Sequence, residues 1–401
     1  MTRRALLALV ALPLAGCMTA ERSAPYAPPP EVAWAWARFD AGAIRASGAG
    51  GIADRVTGRQ ITPDDPIRVA SVSKIVTALT VLRLVEQGKL DLDRDVSTWL
   101  GWRLRNSAFP DRPITLRMLL SHTGSVQDNG ENYVVRLGKA IRPQAEDAGS
   151  FDPDHAPGSF FRYSNLNFGL VGTVIERATG ERFDRVARAE VLEPLGLDAC
   201  FNWATCSDSA AGKAVVLYDQ DGSAILDDLR GKRPACPVFV EPGVECTLDD
   251  YVPGTNGALF SPQGGLRISA AGLTVIGRML LNDGRHAGRA FLSSASIRAM
   301  TSPAWTFNGN NGATDEGFYC SYGLAIQLIP APGTNCRDDL SGTGRRLLGH
   351  AGEAYRVRSG LWFDPVRRTG IAFVAANNGK DPPAGRSAFK AIEEWFAANL
   401  R

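Results

Sequence analysis

The chain has 401 residues, with 44 Lys+Arg against 42 Asp+Glu, 44% hydrophobic and 21% charged. That length suits about two domains or one large α/β unit with an insertion, and the ordinary hydrophobicity excludes a disordered or collagen-like chain. The basic excess is Arg3 and Arg4; without residues 1–16 the count is 42 basic against 42 acidic, which excludes a nucleic-acid footprint.

In chain order, Arg3-Arg4, the apolar run Ala5 to Leu12 and the small residues after it have the layout of a secretory signal peptide over residues 1–16. The run is too short to cross a bilayer. Its end, Leu14-Ala15-Gly16-Cys17, resembles the lipobox of bacterial lipoproteins. The resemblance implies cleavage before Cys17 and acylation of its thiol and new amine, since stable anchoring takes more than one chain. Met18 in place of Asp implies sorting to the outer membrane, so the expected location is the cell envelope, lipid-anchored and facing the periplasm. Residues 17–31, with Pro25, Pro28, Pro29 and Pro30, read as an extended tether.

Val32, Trp34 and Trp36 alternate with alanines, a strand signal, and a second short strand follows around Ala43–Ala53. Val72–Gln87 is apolar nearly all round and stops at Gly88, so it reads as a buried helix. Further helices are expected over Asn165–Ala178, Phe183–Leu192, Ser269–Asn282 and Ser293–Met300, with irregular loop over Ser207–Gln263 and an exposed turn over Asn308–Glu316. Tyr322–Ile329, Arg356–Phe363 and Thr369–Ala376 read as strands, and Phe389, Ile392, Phe396 and Leu400 as a closing amphipathic helix. Strands at both ends of a helical middle imply a discontinuous α/β domain over 32–115 and 260–401, with a helical and loop insertion over 116–259.

With Cys17 assigned to lipid, the six remaining cysteines form an even set for an oxidising compartment. Close spacing suggests Cys200–Cys206, Cys236–Cys246 and Cys320–Cys336 among the 15 possible pairings. No C-x-x-C or H-E-x-x-H occurs, and His122, His155, His286 and His350 are the only histidines, so neither a metal nor another cofactor is expected.

Three short motifs carry the chemistry. Ser71-Val72-Ser73-Lys74 opens the buried helix, and the three-residue spacing puts hydroxyl and amine on one face. Serine needs a base to take its proton, and lysine becomes one when an apolar setting and a helix N-terminus lower its pKa. Tyr163-Ser164-Asn165 precedes a helix; a phenol there can shuttle protons, and the carboxamide can orient the lysine or bind a substrate carbonyl. His350-Ala351-Gly352 precedes the strand expected near Arg356, where glycine admits a substrate backbone and the next N–H can serve an oxyanion. His286-Ala287-Gly288 repeats the letters but follows a helix stop and turn, and is rejected as a surface loop; His122, in Leu119-Leu120-Ser121-His122-Thr123-Gly124, reads as structural.

In this order and context the motifs resemble the class C β-lactamase, DD-peptidase and serine esterase group. The flanks Arg68-Val69-Ala70, Leu84-Val85-Glu86-Gln87-Gly88, Pro194-Leu195-Gly196-Leu197 and Gly264-Gly265-Leu266 agree, and the resemblance covers about residues 35 to 401. It implies a β-lactamase/transpeptidase-like α/β (α+β) fold: an antiparallel sheet flanked by helices, an inserted all-helical domain, and a site in the cleft between. It implies Ser71 as acylated nucleophile, Lys74 as its proton partner and Tyr163 as general base. Asn165 would bind Lys74 and the substrate amide, and the backbone N–H groups of Ser71 and Glu353, next to Gly352, would form the oxyanion hole.

His350 stands where class C β-lactamases usually carry lysine. Histidine occurs there in some DD-peptidases and D-aminopeptidases of the group. With a reference pKa near 6.5 it is partly charged at neutrality, so a carboxylate bound by His350 should be released between roughly pH 6 and 8. A cell-wall D-peptide, ester or amide therefore ranks above a β-lactam as the small-molecule or peptide substrate. No G-x-S-x-G elbow exists, which disfavours an α/β-hydrolase triad. The competing expectation is a catalytically inactive, penicillin-binding-like lipoprotein that holds peptidoglycan or a protein partner.

Overall fold

The structure is a computed structural model that describes residues 26–333, 335–379 and 382–400. The expected signal peptide, Cys17 and residues 17–25 of the tether lie outside the described residues. In strand β1 (Ala33–Asp40) the pleat sends Ala33, Ala35, Ala37 and Phe39 to one face and Trp34, Trp36 and Arg38 to the other. Both faces are covered. Phe39 and the small residues meet helix α4 (Ala270–Leu281), where Gly277 is needed: a Cβ there would lie 2.3 Å from the Phe39 ring. On the other face helix α6 (Ala391–Ala397) brings Trp395 within 5.0 Å of Trp34 and stacks Phe396 on Phe373.

Among the described residues the main sheet has eight antiparallel strands. Besides β1 they are β2 (Ile44–Gly50), β3 (Trp305–Thr306), β4 (Ser321–Tyr322), β5 (Gln327–Ile329), β6 (Leu347–Ala354), β7 (Val357–Asp364) and β8 (Thr369–Ala376), in the order β3-β4-β5-β6-β7-β8-β1-β2. One expectation needs correction. Tyr322–Ile329 is not one strand: Gly323 N–H bonds to Ile326 O at 2.8 Å and Ala325 has φ 56°, folding the run into a β4–β5 hairpin. His350-Ala351-Gly352 does precede the strand expected near Arg356, which starts at Val357, but the motif itself lies inside another strand, β6.

The helices follow the sequence pattern closely. Helix α1 (Ser73–Glu86) is buried on nearly every side; α2 (Leu166–Thr179) packs against it, followed by α3 (Phe183–Ala187) with a π-turn to Leu192, and α5 (Ser294–Thr301). A small sheet pairs Ile67–Arg68 and Cys200–Phe201 with Leu266–Ile268, tying the chain before Ser71 to the chain after Gln263. Residues 207–263 are mostly irregular, with one short helix, Asp208–Gly212, and one hairpin, Leu217–Tyr218 with Ala224–Leu226. Disulfides join Cys200 to Cys206, Cys236 to Cys246 and Cys320 to Cys336.

Candidate active site

The strand Ile67–Arg68 runs into a single tight turn, Ala70–Val72, that leads directly into α1. Ala70 adopts φ 44°, a conformation alanine rarely takes, and this sets Ser71 at the mouth of the helix. Ser73 fixes the turn by donating to Ala70 O at 2.5 Å and accepting from Leu266 N–H at 3.0 Å. The middle serine of the first motif is therefore structural.

Lys74 is fully buried. Its Nζ lies 3.1 Å from Ser71 Oγ, 2.9 Å from Asn165 Oδ1 and 2.9 Å from the Gln263 carbonyl. A neutral amine has two N–H bonds and one lone pair. Asn165 Oδ1 and the Gln263 main-chain carbonyl can only accept, so these two atoms take the two protons and leave the lone pair facing Ser71. Burial makes that neutral form accessible, pushing the Lys74 pKa down to about 7, with Asp128 acting in the opposite direction. The amine sits over the Tyr163 and Phe168 rings at 4.8 and 5.2 Å.

Tyr163 stacks on Tyr319 at 4.8 Å and lies 4.3 Å from the His122 ring. Its hydroxyl is buried and has no hydrogen-bond partner in good geometry among the described residues. Burial raises its pKa above the ordinary tyrosine value; the Ser71 and Tyr319 hydroxyls oppose the rise from nearby, outside hydrogen-bond geometry. Burial therefore favours the protonated phenol in the free enzyme. His122 has φ 57°, accepts the Ser164 N–H on Nδ1 at 3.1 Å, and stays neutral because burial and Lys74 disfavour its cation. It supports the second motif from beneath, a structural place.

On β6, Ala351 N–H donates to Gln327 Oε1 at 3.1 Å and so faces the β5 side. Glu353, two residues on, faces the same way, past Gln327–Gly349, where the β5 pairing stops, so its N–H is aimed at the crevice. Gly352 permits the approach: a Cβ there would lie 2.4 Å from Val69 O, 2.3 Å from Ser359 Oγ and 3.2 Å from Ser71 N. Gly352 thus lets the β6 main chain come close to the Ser71 backbone. The Glu353 carboxylate turns to Arg358 at 2.6 Å.

His350 is set back from the site. Only 1% exposed, it is absent from the crevice wall. Nδ1 faces the Ala351 carbonyl and therefore carries the proton, and Nε2 accepts from the Tyr322 hydroxyl at 2.7 Å. Burial, with Lys74 nearby, holds its pKa down at about 3. The buried ring, bonded at both nitrogens, disfavours the cation that binding a carboxylate and releasing it between pH 6 and 8 would need.

Ser71, Tyr163, Asn165, Gly352 and Glu353 line one crevice of about 480 Å³. Arg68, Glu131, Arg358 and the aromatic side chains of Tyr133, Phe239, Phe318, Tyr319 and Tyr355 also line it. Arg68 lies beneath the Tyr355 ring at 4.9 Å and donates to Gly264 O at 2.9 Å. His286 lies in a two-residue hairpin outside this crevice. Among the described residues no group of three or more His, Cys, Asp or Glu side chains could hold a metal ion. Sequence reasoning missed Asp128 and the Gln263 carbonyl. Asp128 accepts from Ser164 Oγ, Asn165 N–H, Asn165 Nδ2 and Leu166 N–H at 2.8 to 3.0 Å.

A sequence profile of the family described as Beta-lactamase matches residues 32–393. Esterase EstB of Burkholderia gladioli is 38% identical over 170 residues, 38% of this chain and 42% of that protein. Penicillin-binding protein 4 of Amycolatopsis lactamdurans is 27% identical over 253 residues, 63% of this chain and 60% of that protein. In both cases less than two thirds of the relative's own length is matched. The crystal structure of a class C beta lactamase from Rhodobacter sphaeroides superposes with a TM-score of 0.64 at 17% identity, covering 92% of each chain, a likeness of fold.

Proposed function

This chain belongs to the beta-lactamase family, and from that premise we propose that it is an active-site serine hydrolase that cleaves amide or ester bonds through an acyl-enzyme. The observation that carries the reading is the Lys74 amine, buried, 3.1 Å from Ser71 Oγ and bonded to two acceptors that leave its lone pair to the serine. Neutral Lys74 takes the Ser71 proton as Oγ attacks the substrate carbonyl. The oxyanion that forms is held by the N–H groups of Ser71 and Glu353. As the tetrahedral intermediate collapses, Tyr163 gives its proton to the leaving amine or alkoxide and recovers one from the Lys74 ammonium. Water then attacks the acyl-enzyme, losing its proton to the same groups, and Ser71 leaves with a proton.

His350 supplies no charge for substrate in this scheme; it packs the Tyr163 side of the site through Tyr322. A lasting cation for the β-lactam carboxylate is missing at that position, so small esters, amides and cell-wall D-peptides rank above β-lactams. The substrate is a small molecule or peptide, with peptidoglycan the envelope polymer that offers such bonds. The anchor is also ours to propose: Cys17 carries the lipid and holds the domain on the outer membrane, and Cys17→Ala should move the protein from the membrane to the soluble fraction.

The test is turnover of a panel of short-chain nitrophenyl esters, D-Ala-D-Ala peptides and penicillins by the wild type and by Ser71→Ala. Hydrolysis of at least one class by the wild type and none by the variant is expected. Binding without turnover in both would favour the catalytically inactive reading.

A further inference from the structure

Asp128 lies outside all three motifs, on the loop that follows His122, and its carboxylate meets four donors from the second motif and the start of α2. Oδ1 accepts from Ser164 Oγ at 2.8 Å and Leu166 N–H at 3.0 Å. Oδ2 accepts from Asn165 N–H and Asn165 Nδ2, each at 3.0 Å. The two main-chain donors open α2 and have no partner within the helix, a setting that favours a negative charge. A capping role alone would account for these two bonds. It does not account for the other two, to the Ser164 hydroxyl and the Asn165 side chain.

We infer that Asp128 is the positioning residue that aims the Lys74 lone pair at Ser71, by fixing which way round the Asn165 carboxamide stands. A carboxylate can only accept, so Asn165 must present Nδ2 to Asp128 and Oδ1 to Lys74. With Oδ1 in place, one Lys74 N–H is directed at Asn165 and the other at Gln263 O, and the lone pair is left for the serine. Turned over, the carboxamide would offer N–H to the amine and compete with Ser71 for that lone pair. The chain Asp128–Asn165–Lys74–Ser71 thus sets a base by orientation, as a carboxylate orients imidazole in other serine hydrolases. The inference rests on the serine-hydrolase reading above.

Asp128 also supplies the negative charge near the amine. The titratable groups around Lys74 are Tyr163, His122, His350 and Asp128. Burial keeps the phenol protonated and both imidazoles neutral, which leaves the carboxylate as the group that favours the ammonium.

The test is the pH–rate profile of Asp128→Asn with an ester that the wild type turns over, beside a double-mutant cycle with Asn165→Ala. In Asp128→Asn we expect kcat to fall about 10- to 100-fold, as for outer hydrogen-bonding partners elsewhere, with KM little changed. The acid limb of kcat/KM should move to lower pH, because the charge that raises the Lys74 pKa is gone. In an Asn165→Ala background the same change should cost less than about threefold, there being no carboxamide left to orient. Independent effects in the cycle, or a wild-type rate and limb in Asp128→Asn, would overturn the inference. Asp128→Glu covers the case in which Asp128→Asn does not fold. It keeps the charge and displaces Asn165, so kcat should fall with the limb in place, and an unchanged kcat would overturn the inference. A wild type that hydrolyses no ester and takes no label at Ser71 refutes the serine-hydrolase reading itself; an active wild type with a silent Asp128→Asn refutes the inference alone.

Discussion

Titrating Lys74 tests the base assignment. Burial brings its pKa from 10.5 down to about 7. A lysine at 10.5 has roughly 0.03% free base at pH 7. At a pKa of about 7 half of it is free, a gain of about 10³-fold in competent enzyme. Acylation should therefore rise with pH and level off above about pH 8; at pH 5 about 1% of the enzyme is competent, so the rate should be roughly 50-fold below that at pH 7. The assay is stopped-flow measurement of the first-turnover burst with a nitrophenyl ester between pH 5 and 9, read as kcat/KM so that the free enzyme is titrated. Lys74→Met should lose about 10²- to 10⁴-fold across the whole range. A limb centred above pH 9, or no limb at all with Lys74→Met still active, would refute the neutral-lysine base.

Three other outcomes follow from the same geometry. Tyr163→Phe should slow a nitrophenyl ester, whose leaving group needs no proton, by less than about tenfold, and the matching anilide by about 10²-fold or more; equal losses on both substrates would remove the acid role. Gly352→Ala places a methyl 2.3 to 2.4 Å from Ser359 Oγ and Val69 O, so β6 must move from Ser71 and kcat should fall by about 10²-fold, with a melting temperature measured alongside to separate misfolding from lost activity. Burying Lys74 costs stability where it would otherwise be protonated: the unfolded chain binds the extra proton between about pH 7 and 10.5, so the penalty is full below pH 7 and fades as pH rises. Lys74→Met should raise the melting temperature at pH 6 and gain progressively less toward pH 10; no gain at pH 6 would contradict the burial cost.

The legible parts of this protein were the local ones. Ser71 and Lys74 share a helix turn, and Tyr163 and Asn165 share a helix start, so spacing alone placed each pair. The long helices and β1 were readable because their periodicity matches their burial. Tyr322–Ile329 misled because a mostly apolar run does not reveal a reversal, and the positive φ falls on Ala325 and not on Gly323. β6 itself was not read as a strand because its glycines look like punctuation, whereas Gly349 and Gly352 are there for close approach: a Cβ would meet Leu361 O at 1.9 Å and Val69 O at 2.4 Å. His350 was assigned a charge from its residue type. Burial and the nearby Lys74 disfavour that charge, and Tyr322 on another strand occupies Nε2, none of which a local pattern encodes. Asp128 was invisible for a related reason: its partners lie 36 to 38 residues away, and a lone aspartate in a loop looks like solvated surface.

Intact-mass spectrometry after exposure to a fluorophosphonate, followed by peptide mapping, is the most direct test of whether Ser71 is the activated nucleophile. The account predicts a single covalent adduct on Ser71, formed faster at pH 8 than at pH 5 and absent from both Ser71→Ala and Lys74→Met. A folded wild-type protein that takes no adduct, or takes it at another residue, would contradict it.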